Sequence, residues 1–261
     1  MSDPAAVRRQ GLARLLSARG FVRVADASLE LGVSEVTIRG DLSALAREGR
    51  AVRVHGGAMP ADAFVDRESP VESTRDREAG AKRAIGVAAA RLVSSGDCVY
   101  LDAGSTALAV ADALLDRREL HDVIVVTSAL ALALALEPAI PRFEVIVTGG
   151  TLRPLQHSLV NPFAAPMLAS LRFDLAFIGC NGIHPEHGVT NVNLPEAEVK
   201  TLAVRAARSA VLIADGDKLG RTDIAVVGAV SDFATLVTSG PAPDGVLDEL
   251  RATGIEVVVA P

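Results

Sequence analysis

Residues 33–58 read VSEVTIRGDLSALAREGRAVRVHGGA, and their periodicity decides how the first part of the chain folds. Ile38, Leu42 and Leu45 recur at i, i+4 and i+7, the spacing of one buried helix face, which turns Glu35, Thr37, Arg39 and Ser43 towards solvent. Ser34 is a good N-cap for that helix, Val33 offers a buried plug, and Gly32 tolerates the positive φ of a tight turn. Gly49 ends the helix. Arg50 to Val54 then alternates polar and apolar residues before the Gly56–Gly57 turn, the pattern of a β-hairpin that carries Arg53 and His55.

Upstream, Val7, Leu12, Leu15 and Leu16 give an apolar stripe to a helix over Pro4–Ala18, stopped at Gly20, and a short helix follows over Ala25–Leu31. Helix, helix, turn, helix and hairpin make a winged helix-turn-helix. In that syntax the outward face of the third helix meets the major groove of double-stranded DNA and the wing lies by the phosphates or minor groove. Ser34, Glu35, Thr37, Arg39, Arg53 and His55 are therefore the expected DNA-contacting residues. The same residues also fit a second reading, a three-helix structural module whose arginines only solvate its surface.

Charge is unevenly spread. Residues 1–60 hold nine arginines against six acidic residues, whereas the rest of the chain has 17 basic and 26 acidic residues. The overall charge of −6 opposes unspecific adsorption to DNA, so affinity must come from a local, shaped surface on the basic end. Cys98 and Cys180 lie in apolar runs without a CxxC partner, which argues against a metal site or disulfide framework and fits a reducing cytoplasm. The start, MSDPAAVRRQGL, has no apolar leader core, and the longest apolar run, Val123–Leu136, is too short to span a bilayer. A cytoplasmic location without membrane contact is expected.

Residues 60–80 are polar, charged and aperiodic, which marks a linker between a DNA-binding domain at 1–59 and a second domain at 81–261. That second part alternates helices (to about Val93, then 106–115, 129–136, 163–171, 195–208 and 244–252) with short strands. The strands, at 98–102, 123–127, 144–148, 174–179, 210–214, 235–238 and 255–259, are almost wholly Val, Ile, Leu and Ala. Such strands imply a doubly wound, mostly parallel α/β sheet covered on both faces, with ligands held at the strands' C-terminal ends. Polar clusters fall at those ends: Asp102 to Thr106, Thr127–Ser128, Gly149–Gly150, Asn181–Gly182 and Asp215. Asp102-Ala-Gly104-Ser105-Thr106 also opens a helix, where free N–H groups, the helix dipole and two hydroxyls suit a phosphate. An ordinary strand-to-helix turn reads the same way.

The stretch 33–58 resembles the signature of the DeoR family of transcriptional regulators, close to VSxxTIRRDLxxLxxxGxxxRxHGGA. The resemblance extends through LDAGST, VVTSAL, VIVTGGTLR, FIGCNGI, GVTNVNLPEAEVK and LIADGDKLGR. It implies a repressor of sugar or polyol catabolism that acts as a homo-oligomer, with a sensor domain similar to ribose-phosphate isomerase and CoA-transferases and a phosphorylated small-molecule effector. By that resemblance Asp102, Gly104, Ser105 and Thr106 form the phosphate loop, Lys200 neutralises the anion, and Asp215 with Lys218 closes the pocket. Thr127, Gly149 and Gly150 join this effector set from their strand-end positions.

Several residues depart from the family pattern. Gly40 stands where a second arginine is usual, and a mid-helix glycine costs ~0.8–1 kcal/mol relative to Ala. Ala27–Ser28 replaces a Leu-Ala pair, which predicts a softer DNA-binding domain. Ser128, Asn161–Pro162 and Gly216–Asp217 also differ, all at the border of the expected pocket. An isomerase-like enzyme is the chief rival reading, because Asp102, Glu196, Asp215 and Lys200 are acid–base residues. No stretch resembles a catalytic acidic run, however, and kinship of fold does not carry function. No catalytic residue, cofactor or metal ligand set is expected. A ligand-blind oligomerising scaffold is the third reading, opposed by the strand-end clusters.

Overall fold

The computed structural model describes residues 4–19, 22–48, 51–54, 57–60 and 78–261. The chain divides into two compact units, 1–69 and 70–261. The expected linker falls mostly on 61–77, outside the described residues, as do Gly49 and His55.

In the first unit α1 (Pro4–Arg19), β1 (Val22–Arg23), α2 (Val24–Leu31), α3 (Glu35–Arg47), β2 (Ala51–Val54) and β3 (Gly57–Pro60) follow in order. β3 lies between β1 and β2, antiparallel to both. The hairpin was expected; β1 was not, because two residues are too few to show an alternation. Leu12 and Leu16 of α1, Ala27 of α2 and Ile38, Leu42 and Leu45 of α3 are fully buried together with Val22 and Ala58 from the small sheet. Asp41 adds a partly buried ion pair with Arg8, tying α3 to α1.

The turn between α2 and α3 matches its sequence. Gly32 has φ 65° at the C-cap of α2, and the Ser34 side chain accepts from the Thr37 N–H at 3.2 Å. Ser28, one of the departures from the family pattern, donates its hydroxyl to the Val33 carbonyl at 2.6 Å. The packing it gives up is thus offset in part by a hydrogen bond that closes the turn.

The second unit is built on seven parallel strands: β4 (Cys98–Leu101), β5 (Val123–Thr127), β6 (Phe143–Val147), β9 (Phe173–Ile178), β12 (Ala207–Asp215), β14 (Thr235–Ser239) and β15 (Glu256–Val259). Their spatial order is β6-β5-β4-β9-β12-β14-β15. The chain winds outward from β4 to one edge, returns, and winds outward from β9 to the other. The gap above β4 and β9 is therefore the topological switch point, the place where sheets of this kind commonly hold ligands.

Side chains alternate between the two faces of the sheet. Val99, Leu101, Phe177, Val211 and Ile213 pack under α4 (Ala79–Ala90), α5 (Ser105–Asp116) and α6 (Leu130–Leu136). Tyr100, Ala176, Ile178 and Leu212 form the opposite core with α7 (Ala164–Ala169), α8 (Leu194–Ala206) and α9 (Val246–Ala252).

Two small antiparallel pieces were not expected. β7 (Thr151–Arg153) pairs with β8 (Ser158–Val160), while β10 (Gly182–His184), β11 (Gly188–Asn191) and β13 (Ala225–Gly228) form a three-stranded sheet. β7, β8, β10 and β11 mix Gly, Arg, His, Ser and Asn into runs of three or four residues, and β13 is only Ala-Val-Val-Gly, so all are too short to show a strand period.

Candidate functional site

On the first unit the register of α3 presents Ser34, Glu35, Val36 and Arg39 to solvent, with Thr37 partly buried. Arg39 Nη2 donates to Glu35 Oε2 at 2.6 Å and the Ser34 and Thr37 hydroxyls are 2.9 Å apart, so the polar face is already ordered. Val36, 74% exposed, was missed by the sequence reading. An apolar side chain held in water at a helix start is of the kind that would suit the methyl group of thymine, were the helix to enter a major groove. Gly40 is exposed, and a Cβ added there would meet nothing within 4 Å. Arg53 sits on β2 of the wing; its side chain and His55 lie outside the described residues.

On the second unit the end of β4 delivers Asp102 to the switch point and the end of β9 delivers Gly179 and Cys180. α8 starts at Asn193, whose side chain accepts from the Glu196 N–H at 3.2 Å, and its phase then buries Glu196, Lys200 and Ala203 on one stripe. Lys200 is 4% exposed and ion-pairs with Asp102, 2% exposed. The ammonium also donates to the Gly179 carbonyl at 2.9 Å, and Asp102 Oδ2 accepts from the Gly179 N–H at 2.9 Å.

Lys200 therefore has a structural role besides the anion-neutralising one expected of it. It is first a clamp joining β4 to β9. Burial is the largest influence on both groups: it pushes the Asp102 carboxyl up against the pull of Lys200. For Lys200 burial acts downward, but the charges of Asp102 and Glu196 outweigh it and hold the ammonium above its ordinary value. Glu196 is in turn ion-paired with Arg153 of β7 and accepts from Ser158 of β8 at 2.6 Å. Arg153, Glu196, Lys200 and Asp102 thus alternate in sign from the hairpin to the switch point. Arg153 and Ser158 gave no sequence signal, since their partner is about forty residues away and only the fold joins them.

The clamp leaves α5 open at its start. Gly104, with φ 121°, is the N-cap and offers no side chain, and a Cβ added there would meet nothing within 4 Å. Ser105 and Thr106 are half-buried at the first turn. A groove of about 520 Å³ runs past Ser105 between α4 and α5, lined also by Lys82, Arg83 and Asp112. Lys82, only 6% exposed, was missed because it reads as one solvated charge in AGAKRAIG.

Asp215 and Lys218 belong to the same neighbourhood. Burial pushes the Cys180 thiol up to about 12, with Lys200 and Lys218 acting downward and Asp215 and Asp102 upward. Asp215 is 3% exposed, and its Oδ1 has no hydrogen-bond partner among the described residues, an arrangement that calls for a donor from a ligand or water. Thr127, Gly149 and Gly150 have local structural roles as well. Thr127 Oγ1 accepts from the Ala129 N–H at 3.0 Å, and a Cβ on Gly149 would lie 3.0 Å from Phe163. Gly150, with φ 147°, needs its missing side chain because the Val160 carbonyl would sit 1.9 Å from a Cβ. These three residues shape the β5 turn and the β7–β8 hairpin. Asn181 and Gly182 likewise serve the β10–β11 sheet, where Asn181 Oδ1 accepts from the Val192 N–H at 3.0 Å.

Residues 8–63 match the model of the DeoR-like helix-turn-helix domain and residues 77–240 that of the DeoR C-terminal sensor domain. The chain belongs to the DeoR family. It is a DNA-binding transcriptional regulator and not an enzyme, as its relatives are named. The transcriptional regulator GlpR of Haloferax volcanii is 34% identical over 97% of both chains. The transcriptional repressor CsqR of Escherichia coli is 29% identical over 97% of this chain and 94% of its own. Among solved structures, ribose 5-phosphate isomerase from Plasmodium falciparum covers 52% of this chain and 51% of its own at 16% identity and a TM-score of 0.38. The full-length sorbitol operon regulator SorC from Klebsiella pneumoniae covers 84% of this chain and 91% of its own at 13% identity and a TM-score of 0.35. No helix among the described residues is long and apolar enough to cross a membrane.

Proposed function

We propose that this DeoR-family protein is a cytoplasmic repressor that binds double-stranded operator DNA as a homo-oligomer and is controlled by a phosphorylated sugar or polyol. Ser34, Glu35, Thr37 and Arg39 of α3, with Arg53 and His55 of the wing, form the DNA-contacting set. The effector's phosphate sits on the first turn of α5, against the N–H groups and hydroxyls of Ser105 and Thr106.

The observation that carries this reading is the uncapped start of α5 at Gly104, held open beside the buried Asp102–Lys200 clamp. A helix start supplies several convergent N–H donors and a favourable dipole for an anion. An ammonium has three donors; two of those on Lys200 go to Asp102 and Gly179, and the third serves the ligand. Asp215 Oδ1 accepts from a hydroxyl of the sugar or polyol, and Lys218 closes the rim.

A thermal-shift screen tests the ligand class, because a molecule that binds only the native state raises its stability by RT ln(1 + [L]/Kd). Sugar and polyol phosphates are compared with the same compounds lacking phosphate. The expected result is a hit whose shift disappears without the phosphate. Equal shifts from both forms would remove the phosphate from the account, and no hit in either set would remove the sugar and polyol class.

A further inference from the structure

The β10–β11 hairpin ends in His184-Pro185-Glu186-His187-Gly188, and its geometry points to a second ligand site unrelated to the effector crevice. His184 and Gly188 are register partners, so Pro185, Glu186 and His187 make a three-residue loop. Gly188 has φ 78°, and a Cβ there would lie 2.4 Å from the Gly228 carbonyl, so the hairpin is pressed against β13 by a residue that only glycine can be. The Glu186 and His187 N–H groups donate to His184 Nδ1 at 3.2 and 3.4 Å. The two imidazoles stack with centroids 4.4 Å apart. One ligand atom from each of His184, Glu186 and His187 lies within 4.8 Å of the others.

We propose that this turn binds one borderline divalent transition metal ion, of the Zn²⁺, Ni²⁺ or Co²⁺ class, through both imidazoles and the Glu186 carboxylate. Two nitrogen donors and one oxygen donor favour such ions over Mg²⁺ or Ca²⁺, which require oxygen cages. Ligands at ~2.0–2.1 Å on a tetrahedral ion stand about 3.4 Å apart. The groups must therefore close by up to about 1.4 Å, which the exposed Glu186 and His187 side chains can do on an anchored backbone. His184 Nδ1 exchanges its two long hydrogen bonds for the metal. Three donors leave at least one position to water, so the ion is exchangeable. Bound there, it ties the tip of a hairpin whose second strand leads through Asn193 into α8, the helix that carries Glu196 and Lys200.

The test uses the full chain, freed of any histidine tag, titrated with Zn²⁺ and Ni²⁺ by calorimetry, with Co²⁺ as a spectroscopic probe. The expected result is one ion per chain with nitrogen and oxygen ligation. Affinity should fall about tenfold or more in His187→Gln and in Glu186→Gln and stay unchanged in His121→Gln, with circular dichroism reporting the fold of each variant. A stoichiometric site that survives in the His184→Gln/His187→Gln double variant would overturn the proposal. So would a thiolate charge-transfer band with Co²⁺, which would move the ion to a cysteine, or the absence of binding to the folded parent.

Discussion

The two candidate sites of this chain are built in opposite ways. On α3 the residues expected to meet DNA stand in water: the Arg39 and Glu35 side chains are about half exposed, and Val36 projects from the helix start. At the switch point of the sensor unit the corresponding residues are interior: Asp102, Lys200, Glu196 and Asp215 are all less than a tenth exposed. A surface site can be altered without disturbing the core beneath it. A set of interlocked buried charges cannot, because Asp102 and Lys200 also join two strands and Glu196 also holds the β7–β8 hairpin. The difference teaches that loss of response after a substitution carries different information in the two units.

The largest expected effect follows directly. Lys200→Ala leaves Asp102 buried without its cation and should destabilise the sensor unit by about 3–5 kcal/mol, read from its urea or thermal transition. Asp102→Asn combined with Lys200→Met removes both charges and should recover much of that loss. If Lys200→Ala is as stable as the parent, the clamp is not structural and the sensor site resembles the reader more closely than its burial suggests.

Arg39→Ala should behave in the other manner. An exposed i,i+4 pair such as Arg39–Glu35 is worth only ~0.3–0.5 kcal/mol to stability. In operator binding, loss of a base contact should cost ~1–3 kcal/mol of specificity, whereas loss of a phosphate contact should lower the salt slope by about 1. Normal operator binding across a salt series by folded Arg39→Ala would remove α3 as the reading helix. The smallest effect belongs to Gly40→Ala, which should stabilise the first unit by ~0.8–1 kcal/mol, since a Cβ at Gly40 meets nothing. A loss of stability there would mean that the helix uses its glycine.

The same contrast explains what was legible beforehand. Ile38, Leu42 and Leu45 fix the phase of α3 and hence the outward direction of Arg39, because helical periodicity is a local property of the sequence. The seven parallel strands were legible as apolar runs, and Asp102 with Gly104 to Thr106 as the end of one of them. The partners of those residues were not. Lys200 meets Asp102, and Arg153 meets Glu196, only after the crossover from β6 to β9 has set the strand order. Gly149 and Gly150 show the converse case: a strand-end glycine pair suggested a ligand, and the fold gives it a packing reason as well, since a Cβ on Gly150 would strike the Val160 carbonyl and one on Gly149 would crowd Phe163. β10 and β11 escaped because their short runs, GIH and GVTN, carry no apolar alternation, and β13, Ala-Val-Val-Gly, because four residues are too few to set a period.

In the function proposed above, an anion at the open start of α5 controls what α3 does on DNA. Ser105→Asp tests it most directly, since an acidic side chain at that turn suits the helix dipole and leaves the fold intact, yet repels a phosphate. Operator affinity of the parent and of Ser105→Asp is measured with and without the phosphorylated compound that stabilises the parent most. Without effector the two proteins should bind operator equally, and with effector the affinity should shift in the parent alone. An equal shift in folded Ser105→Asp would contradict it and place the sensing site elsewhere.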